Sequence, residues 1–310
     1  MVLYFYERQK RGVREMDYCI GVDSGGTHMI GRALSLDGQL LAQAEAGPGN
    51  IFLNEEETIQ NLTNVLNELL GQMKKGHCQY VLLGIAGVET AGNSQVVAEL
   101  LTQKFDLPVY VISDAKLALL NGLKGEDGSL VIAGTGSVVY GRQEGTFLRF
   151  GGWGPLLGDT GSAYKIAENT MKHCLWMHDL GKTSTLTTSL LKKLGCQSLS
   201  EAVSVYNKCG RKEIASLAVI VGELGASGNL EAQEILTSEA HHLAKEVLGL
   251  IGQYQQPAPK KVALAGSVLL KNKFYQKALI ACLKKQEASI EIFPVSTNNA
   301  NGAIYWSRWK

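Results

Sequence analysis

Two glycine-rich turns carry residues that could bind phosphate. They lie in VDSGGTHMIGR, which contains Gly25, Gly26 and Thr27, and in IAGTGSVVYGR, which contains Gly134, Thr135 and Gly136. Backbone N–H groups that no side chain covers can approach anionic oxygens closely. A dinucleotide site or a P-loop would need a helix directly after its glycines, whereas the first turn is followed by a β-rich stretch with an Asp-Gly turn. The first turn therefore predicts a phosphate cradle between two antiparallel strands.

Three aspartates stand where a carboxylate could act on a substrate. Asp23 ends the first predicted strand beside the first glycine turn, and Asp114 follows a buried strand and heads a helix. The helix N-terminus favours the ionised form of Asp114 by ~0.3–1 kcal/mol, which suits a general base. Asp159 precedes a long predicted helix. Since aspartate is also a good N-cap, the residues alone leave capping and chemistry open for Asp114 and Asp159.

The predicted elements that position these residues are of the α/β type. Strands and helices follow in the order β-β-β-α-β-α-β-α through residue 123, with buried strands at Tyr80–Ile85 and Val109–Ile112. The second half is mostly helical. Its predicted helices are Asp159–Met177, Ser184–Leu194, Ser200–Tyr206, Arg211–Leu224 and Leu230–Ile251, its later strands Lys261–Ala265 and Ile290–Phe293, and its closing helix Asn298–Trp309.

The opening unit occurs twice. A strand, a glycine–threonine turn, a strand ending in Gly-Arg, a second turn and a third strand follow one another from Tyr18 and again from Leu130. The two segments agree in the order of their flanking strands and turns as well as in their glycines, so a chance match is a poor explanation. The pattern predicts an internal duplication.

Composition limits the class of protein. The chain has 310 residues, 45% hydrophobic and 19% charged, which is typical of a globular protein with two domains. A formal net charge of +1 without a basic cluster disfavours a nucleic-acid surface, and no apolar run approaches the roughly 20 residues that span a bilayer. The six cysteines are far apart in the sequence and favour free thiols in a reducing cytoplasm.

Taken together, the duplicated β-β-β-α-β-α units resemble the actin / sugar kinase / heat-shock-chaperone ATPase superfamily. Within it, GGWGPLLGDTGSAYKIA at residues 151–167 resembles the GGWGxxxGDEGSA box of the N-acetylglucosamine kinases and the wider BadF/BadG ATPase family. ALAGSVLL at residues 263–270 resembles that family's adenosine-site turn. The resemblance implies two ribonuclease-H-like (actin-like ATPase) domains with a cleft between them.

The resemblance also implies domain limits. The N-terminal domain is expected at 18–114 plus 296–310, and the C-terminal domain, with helical insertions, at 115–295. Residues 1–17 are expected to form a flexible extension.

The family's functional residues map onto this sequence as expectations. Asp114 would be the catalytic base and also contact the sugar, and Asp23 would hold Mg²⁺ through water. The ATP-binding set would be Gly25, Gly26, Thr27, Gly134, Thr135, Gly136, Ala215, Gly266 and Ser267. The sugar-binding set would further include Asn50, Ser137, Val138, Gly152, Trp153, Gly154 and Asp159.

Two positions depart from the family pattern. Thr160 stands where GDEGSA has a glutamate, and Val138 replaces an asparagine of the animal N-acetylglucosamine kinases. Loss of a hydrogen bond from position 138 could cost about 1 kcal/mol of sugar binding. Both changes bear on which amino sugar the chain prefers.

The function implied is that of a cytoplasmic kinase that uses ATP and Mg²⁺ to phosphorylate the 6-hydroxyl of an amino sugar. N-acetylglucosamine is the first candidate, with glucosamine and N-acetylmuramic acid as others, and a homodimer is compatible with the resemblance. One alternative is an ATP-driven activator of a reductase or dehydratase, which would need closely placed cysteines for an iron–sulfur cluster. The other is a sugar-sensing regulator, which would need a DNA-binding module.

Overall fold

The computed structural model describes residues 16–310, which form two compact units. The first contains the described residues up to Glu126 together with Thr297–Lys310, and the second is Asp127–Ser296. The expected extension at 1–17 lies outside the described residues except for Met16 and Asp17, which begin strand β1.

A five-stranded sheet with the order β3-β2-β1-β4-β5 organises the first unit. β1 pairs antiparallel with β2 and parallel with β4, so the first glycine turn joins two antiparallel strands as predicted. The strands are β1 (Met16–Ser24), β2 (Met29–Ser35), β3 (Leu40–Ala46), β4 (Gly76–Ile85) and β5 (Val109–Ser113). The α-helices are α1 (Glu55–Gln72), α2 (Val88–Ala91), α3 (Ser94–Phe105) and α4 (Asp114–Gly122).

Helix α1 shows how the sequence sets one of these elements. The Asn54 side chain accepts a hydrogen bond from the Glu57 backbone N–H at 3.2 Å, which caps the first turn. Leu62, Val65, Leu66 and Leu69 recur at helical spacing and are fully or almost fully buried. This apolar stripe packs with β1, β2 and β4 in one core.

The C-terminal residues return to the first unit as a 3₁₀-helix, Asn299–Arg308. Its backbone packs directly on β1, because a Cβ at Gly21 would lie 2.8 Å from the carbonyl carbon of Ala300. Leu117 and Leu120 of α4 share a buried cluster with Ala303 of this helix. Because α4 packs here, the compact units divide after Glu126 and not after Asp114.

A second five-stranded sheet, with the order β10-β9-β6-β7-β8, organises the second unit. Read from the other edge, it repeats the topology of the first sheet, which confirms the predicted duplication of the fold. Its strands are β6 (Gly128–Ala133), β7 (Ser137–Gln143), β8 (Thr146–Phe150), β9 (Lys261–Ala265) and β10 (Glu291–Pro294).

The helices of the second unit largely follow the sequence prediction, but two of them, Ser267–Lys271 and Lys273–Gln286, were not predicted, and two others differ in their bounds. They are α5 (Ala163–Asp179), α6 (Thr185–Leu194), α7 (Leu199–Tyr206), α8 (Arg211–Ser216), α9 (Ala218–Ala226), α10 (Leu230–Ile251), α11 (Ser267–Lys271) and α12 (Lys273–Gln286). The helix expected at Arg211–Leu224 is divided at the buried Leu217, where the N–H groups of Leu217 and Ile220 bond to carbonyls three residues earlier. The helix expected from Asp159 begins at Ala163, with Ser162 as its N-cap.

Across residues 16–310, the helices fall short of the length and apolarity that crossing a membrane would require.

Candidate functional site

The first glycine turn leaves its backbone open. Gly25 donates its N–H to the His28 carbonyl at 3.1 Å, and a Cβ added at Gly26 would meet no atom within 4 Å. Gly26, Thr27 and His28 are exposed. Packing within the described residues does not require glycine at 26, and the position is open to solvent.

Asp23 lies at the end of β1, next to this turn. Its Oδ2 accepts a hydrogen bond from the Asn299 side-chain amide at 3.1 Å. Burial raises the pKa of Asp23 from 3.8 to about 6, the Asn299 bond opposes that shift, and the charge of Asp114 adds to it. Asp23 is therefore ionised at neutral pH and available to a cation.

Asp114 is the first residue of α4, and its neighbour Ser113 is the N-cap. The Ser113 hydroxyl accepts from the Lys116 backbone N–H at 3.4 Å, while Oδ1 of Asp114 accepts from the Ala115 N–H at 2.9 Å. Burial raises the pKa of Asp114, and backbone N–H donors oppose that shift. A carboxylate with a raised pKa is a stronger base, which suits proton abstraction from an alcohol.

Asn50 has a structural partner in its own loop. Its side-chain oxygen accepts from the backbone N–H groups of Phe52 and Leu53 at 3.1 and 3.3 Å. The loop is tied to the first glycine turn, because the Gly49 N–H donates to the Gly25 carbonyl at 2.8 Å. A sugar contact from Asn50 would use its amide nitrogen or require this turn to rearrange.

The second glycine turn, residues 134–136, packs on the start of α5. The Ala163 N–H donates to the Gly134 carbonyl at 2.8 Å, and the Tyr164 N–H to the Thr135 carbonyl at 3.4 Å. A Cβ at Gly136 would lie 2.6 Å from Oδ2 of Asp159 and would overlap Nη2 of Arg211. A side chain at 136 would displace the Arg211–Asp159 ion pair that covers the turn.

Asp159 is a buried carboxylate in an unusual backbone conformation, and it does not cap the helix. Its φ is +56°, in the left-handed region, and its relative exposure is 2%. Oδ1 accepts from the Gly154 N–H at 3.2 Å, and Oδ2 forms a short ion pair with Nη2 of Arg211. Non-glycine residues rarely adopt this backbone, and they concentrate at functional sites.

A cavity of about 230 Å³ lies beside this ion pair in the second unit. Four of its lining residues, Ser137, Val138, Gly152 and Asp159, belong to the predicted sugar-binding set. The Ser137 hydroxyl donates to the Thr160 carbonyl at 2.7 Å. Gly154 adjoins the cavity through its bond to Asp159. The structure therefore brings these predicted sugar residues together around one open pocket.

Arg149 and Arg211 also line this cavity, and neither is among the predicted site residues. The Arg149 guanidinium donates to the Gly151 and Gly152 carbonyls at 3.2 and 2.6 Å and lies 4.8 Å from the ring centroid of Trp153. Trp153 itself is 69% exposed. Alternation along β8 could have indicated that Arg149 and Phe147 share a face, but no spacing links Arg211 to the GGWG box.

Two glutamates of α10, the buried Glu239 and the half-buried Glu246, lie close to the loop beside the cavity. Oε2 of Glu239, a residue 3% exposed, accepts from the Gly161 N–H at 3.0 Å, and the Tyr275 hydroxyl donates to the Gly161 carbonyl at 2.8 Å. Burial raises the pKa of Glu246, and the hydroxyl of Thr160 opposes that shift. A carboxyl group from α10 therefore lies beside Thr160, the position where the family pattern has its own glutamate.

A larger cavity of about 640 Å³ is lined by three residues of the predicted ATP-binding set, and Gly266 lies outside its lining. Thr135, Ala215 and Ser267 line it, together with small residues of α9 and the cations Lys212, Lys271 and Lys273. Gly266 has φ +93°, and a Cβ there would lie 2.6 Å from the carbonyl carbon of Ala133. Its size, small walls and cations fit a nucleotide.

The predicted residues thus form one group in each unit. In the first unit, Asp23, Asp114 and the Gly25–Thr27 turn lie at the ends of β1 and β5. In the second, the Gly134–Gly136 turn separates the 230 Å³ cavity, which Gly136 lines, from the 640 Å³ cavity, which Thr135 lines.

The duplicated sheets define the fold of the actin-like sugar kinases. A solved structure from Chromobacterium violaceum, provisionally assigned as an N-acetylglucosamine kinase, matches with a TM-score of 0.66 at 25% identity and covers 93% of this chain and 98% of that one. The sequence model of the BadF/BadG/BcrA/BcrD ATPase family matches residues 20–306. The chain belongs to the BadF/BadG/BcrA/BcrD ATPase family, which confirms the resemblance seen in its motifs.

Two curated relatives carry kinase names. The "N-acetylmuramic acid/N-acetylglucosamine kinase" of Clostridium acetobutylicum is 29% identical over 303 residues, which are 94% of this chain and 99% of that protein. The "N-acetyl-D-glucosamine kinase" of Dictyostelium discoideum is 32% identical over 202 residues, which are 60% of this chain and 63% of that protein.

Proposed function

We propose that this chain is an ATP-dependent amino-sugar kinase that transfers the γ-phosphate to the 6-hydroxyl of N-acetylglucosamine or of the related glucosamine or N-acetylmuramic acid. The observation that carries the proposal is the arrangement of the second unit, where a glycine turn lies between a cavity lined by the predicted sugar residues and one lined by the predicted nucleotide residues. The kinase names of the relatives give the same class of reaction.

Asp114 acts as general base in this proposal. Its carboxylate accepts the proton of the sugar hydroxyl as that oxygen attacks the γ-phosphorus. Burial raises the pKa of Asp114 and makes it a better base, and its anchoring at the start of α4 fixes the direction of the side chain. Base catalysis of this kind contributes on the order of 10²–10⁴-fold to the rate.

Mg²⁺ is the cation that the proposal assigns to Asp23. A carboxylate with one hydrogen bond, from Asn299, retains lone pairs for a cation or its water ligands. Magnesium keeps most of its waters and needs one or two carboxylates from the protein. The ion would neutralise charge on the phosphates of ATP.

Each glycine turn is proposed to be a phosphate-binding element of its own unit, and the adenosine is proposed to occupy the 640 Å³ cavity. In the 230 Å³ cavity, Ser137, Val138 and Gly152 would contact the sugar, with Trp153 and Gly154 beside them. Asn50 would contribute from the first unit. We further propose that the protein is cytoplasmic and forms a homodimer; light scattering of the purified protein tests the dimer.

A coupled ADP-release assay across a panel of hexoses and amino sugars tests the function. We expect sugar-dependent ADP release with at least one of the three amino sugars and little with glucose or mannose. Mass spectrometry of the product should show one added phosphate. ADP release that no amino sugar stimulates would contradict the proposal.

A further inference from the structure

Arg211 lies where the two cavities of the second unit meet. Its side chain lines the 230 Å³ cavity, while Lys212, Ala215 and Ser216 of the same helix line the 640 Å³ cavity. A Cβ at Gly136 would overlap its Nη2, so the guanidinium lies directly over the second glycine turn. One cation therefore contacts the wall of the sugar cavity and the turn proposed to hold phosphate.

The buried carboxylate of Asp159 holds this guanidinium in place. Nη2 of Arg211 donates to Oδ2 of Asp159, whose side chain is 3% exposed, whereas the Arg211 side chain is 47% exposed. Oδ1 of Asp159 is fixed by the Gly154 N–H at 3.2 Å. A guanidinium has five N–H donors, and within residues 16–310 this ion pair is the one hydrogen bond of the Arg211 side chain. Donors remain for a ligand in the cavity.

We propose that Arg211 is a catalytic residue that stabilises the transferring phosphoryl group, and that Asp159 is the positioning residue that holds it. The inference rests on the proposed function. In the transfer, a bond forms between the sugar oxygen and the γ-phosphorus, and the bond from that phosphorus to the β,γ-bridging oxygen breaks. ADP leaves with the electron pair, and the hydroxyl proton passes to Asp114.

The charge on the phosphoryl oxygens has to be neutralised throughout this step. A planar guanidinium can donate to two phosphate oxygens at once, which the ammonium of lysine cannot do in the same geometry. Preorganisation matters because a donor already in place costs no rearrangement during the reaction. The ion pair with Asp159 supplies that preorganisation.

A purely structural pair would give a different result. If the ion pair only tied α8 to the loop before α5, removing the guanidinium would lower the melting temperature and weaken sugar and nucleotide binding. A group that acts on the transferring phosphoryl lowers kcat chiefly and leaves both KM values close to those of the unchanged protein.

The test compares Arg211→Ala and Arg211→Lys with the full-length protein in the ADP-release assay. We expect kcat to fall by about 10²–10³-fold in Arg211→Ala, as for removal of one charge-stabilising donor, with KM values changed much less. Arg211→Lys should remain strongly impaired, since it keeps the charge but loses the planar fork. Lys208→Gln is the matched control, because it removes an exposed cation that lines neither cavity and should keep normal kcat.

Chemical rescue provides the second measurement. Millimolar guanidinium should partly restore kcat in Arg211→Ala, and the same concentration of sodium chloride or urea should not. This inference alone would be overturned if the unchanged protein is active and Arg211→Ala keeps its kcat. It would also be overturned if Arg211→Ala loses binding and stability and guanidinium does not restore kcat. A protein that releases no ADP with any amino sugar would overturn the proposed function as well.

Discussion

Asp23 and Asn299 lie 276 positions apart in the sequence, and their side chains are joined by a hydrogen bond of 3.1 Å. The contact links the end of the first strand to the 3₁₀-helix at the C-terminus. Burial raises the pKa of the Asp23 carboxyl to about 6. The group is therefore ionised near neutral pH, and this ionisation costs stability. A group kept charged at such a cost is typical of a functional position.

Asp23→Asn should stabilise the protein and impair catalysis. The pKa of Asp23 is 3.8 unperturbed and about 6 when folded, so folding favours its protonated form and stability falls as the pH rises through about 6. Asparagine removes that loss, and we expect the free energy of unfolding at pH 8 to rise by roughly 2–3 kcal/mol. Denaturant unfolding at pH 4 and pH 8 measures the gain, which should be absent at pH 4.

The same variant should need more Mg²⁺ for half-maximal ADP release. Asp17→Asn, in an exposed residue at the other end of β1, is the control and should change neither property. A variant with unchanged Mg²⁺ dependence would remove Asp23 from the proposed metal site.

Variants of Ser113 and Asp114 distinguish helix capping from catalysis at the start of α4. Asp114→Asn should lower kcat by about 10²–10⁴-fold, because the amide cannot accept the hydroxyl proton, while ADP binding persists. Ser113→Ala should instead lower stability by about 1 kcal/mol through loss of the N-cap, with kcat close to normal. Steady-state kinetics and thermal unfolding of both variants check the expectation. An Asp114→Asn protein with normal turnover would refute the mechanism.

A bulky side chain should close the 640 Å³ cavity. Ser216 is exposed and lines that cavity, so Ser216→Trp can fill the space without disturbing the core. We expect the KM for ATP to rise at least about tenfold, the equivalent of roughly 1.4 kcal/mol of lost binding, with the KM for sugar little changed. Ser204→Trp, an exposed position on α7 that does not line the cavity, is the control. Equal effects of the two tryptophans would place the nucleotide elsewhere.

Val138→Asn should strengthen the binding of N-acetylglucosamine. Val138 lines the 230 Å³ cavity, and its side chain offers no hydrogen bond to a hydroxyl or acetamide. One added hydrogen bond of about 1 kcal/mol corresponds to a fall in KM of about fivefold. Val138→Leu tests whether size alone produces the change. A fall in KM with leucine, or none with asparagine, would contradict the expectation.

Local patterns in the sequence were enough to predict most elements and the duplication. The apolar stripe of α1 and the glycine turns depend on neighbouring residues, and the second sheet repeats the first. Contacts between distant segments were not visible in the same way. The sequence left capping and chemistry both open for Asp159; in the structure Ser162 is the N-cap, and the Asp159 carboxylate bonds to Arg211 and Gly154.

The site residues show the same division. Gly136 was predicted from its motif. The ion pair between residues 159 and 211 that lies over this glycine was not predicted. The single helix predicted over Arg211–Leu224 is divided at Leu217, where the N–H groups of Leu217 and Ile220 bond to carbonyls three residues earlier. The periodicity of apolar residues does not indicate contacts or helix breaks of this kind.

Helix α8 is only six residues long, yet its first residue contacts the carboxylate at 159 while later residues line the larger cavity. A displacement of this helix by an arriving nucleotide would therefore move the guanidinium relative to the sugar. If the proposed sites are right, this short helix would connect them, and we expect the affinities for ATP and sugar to depend on each other.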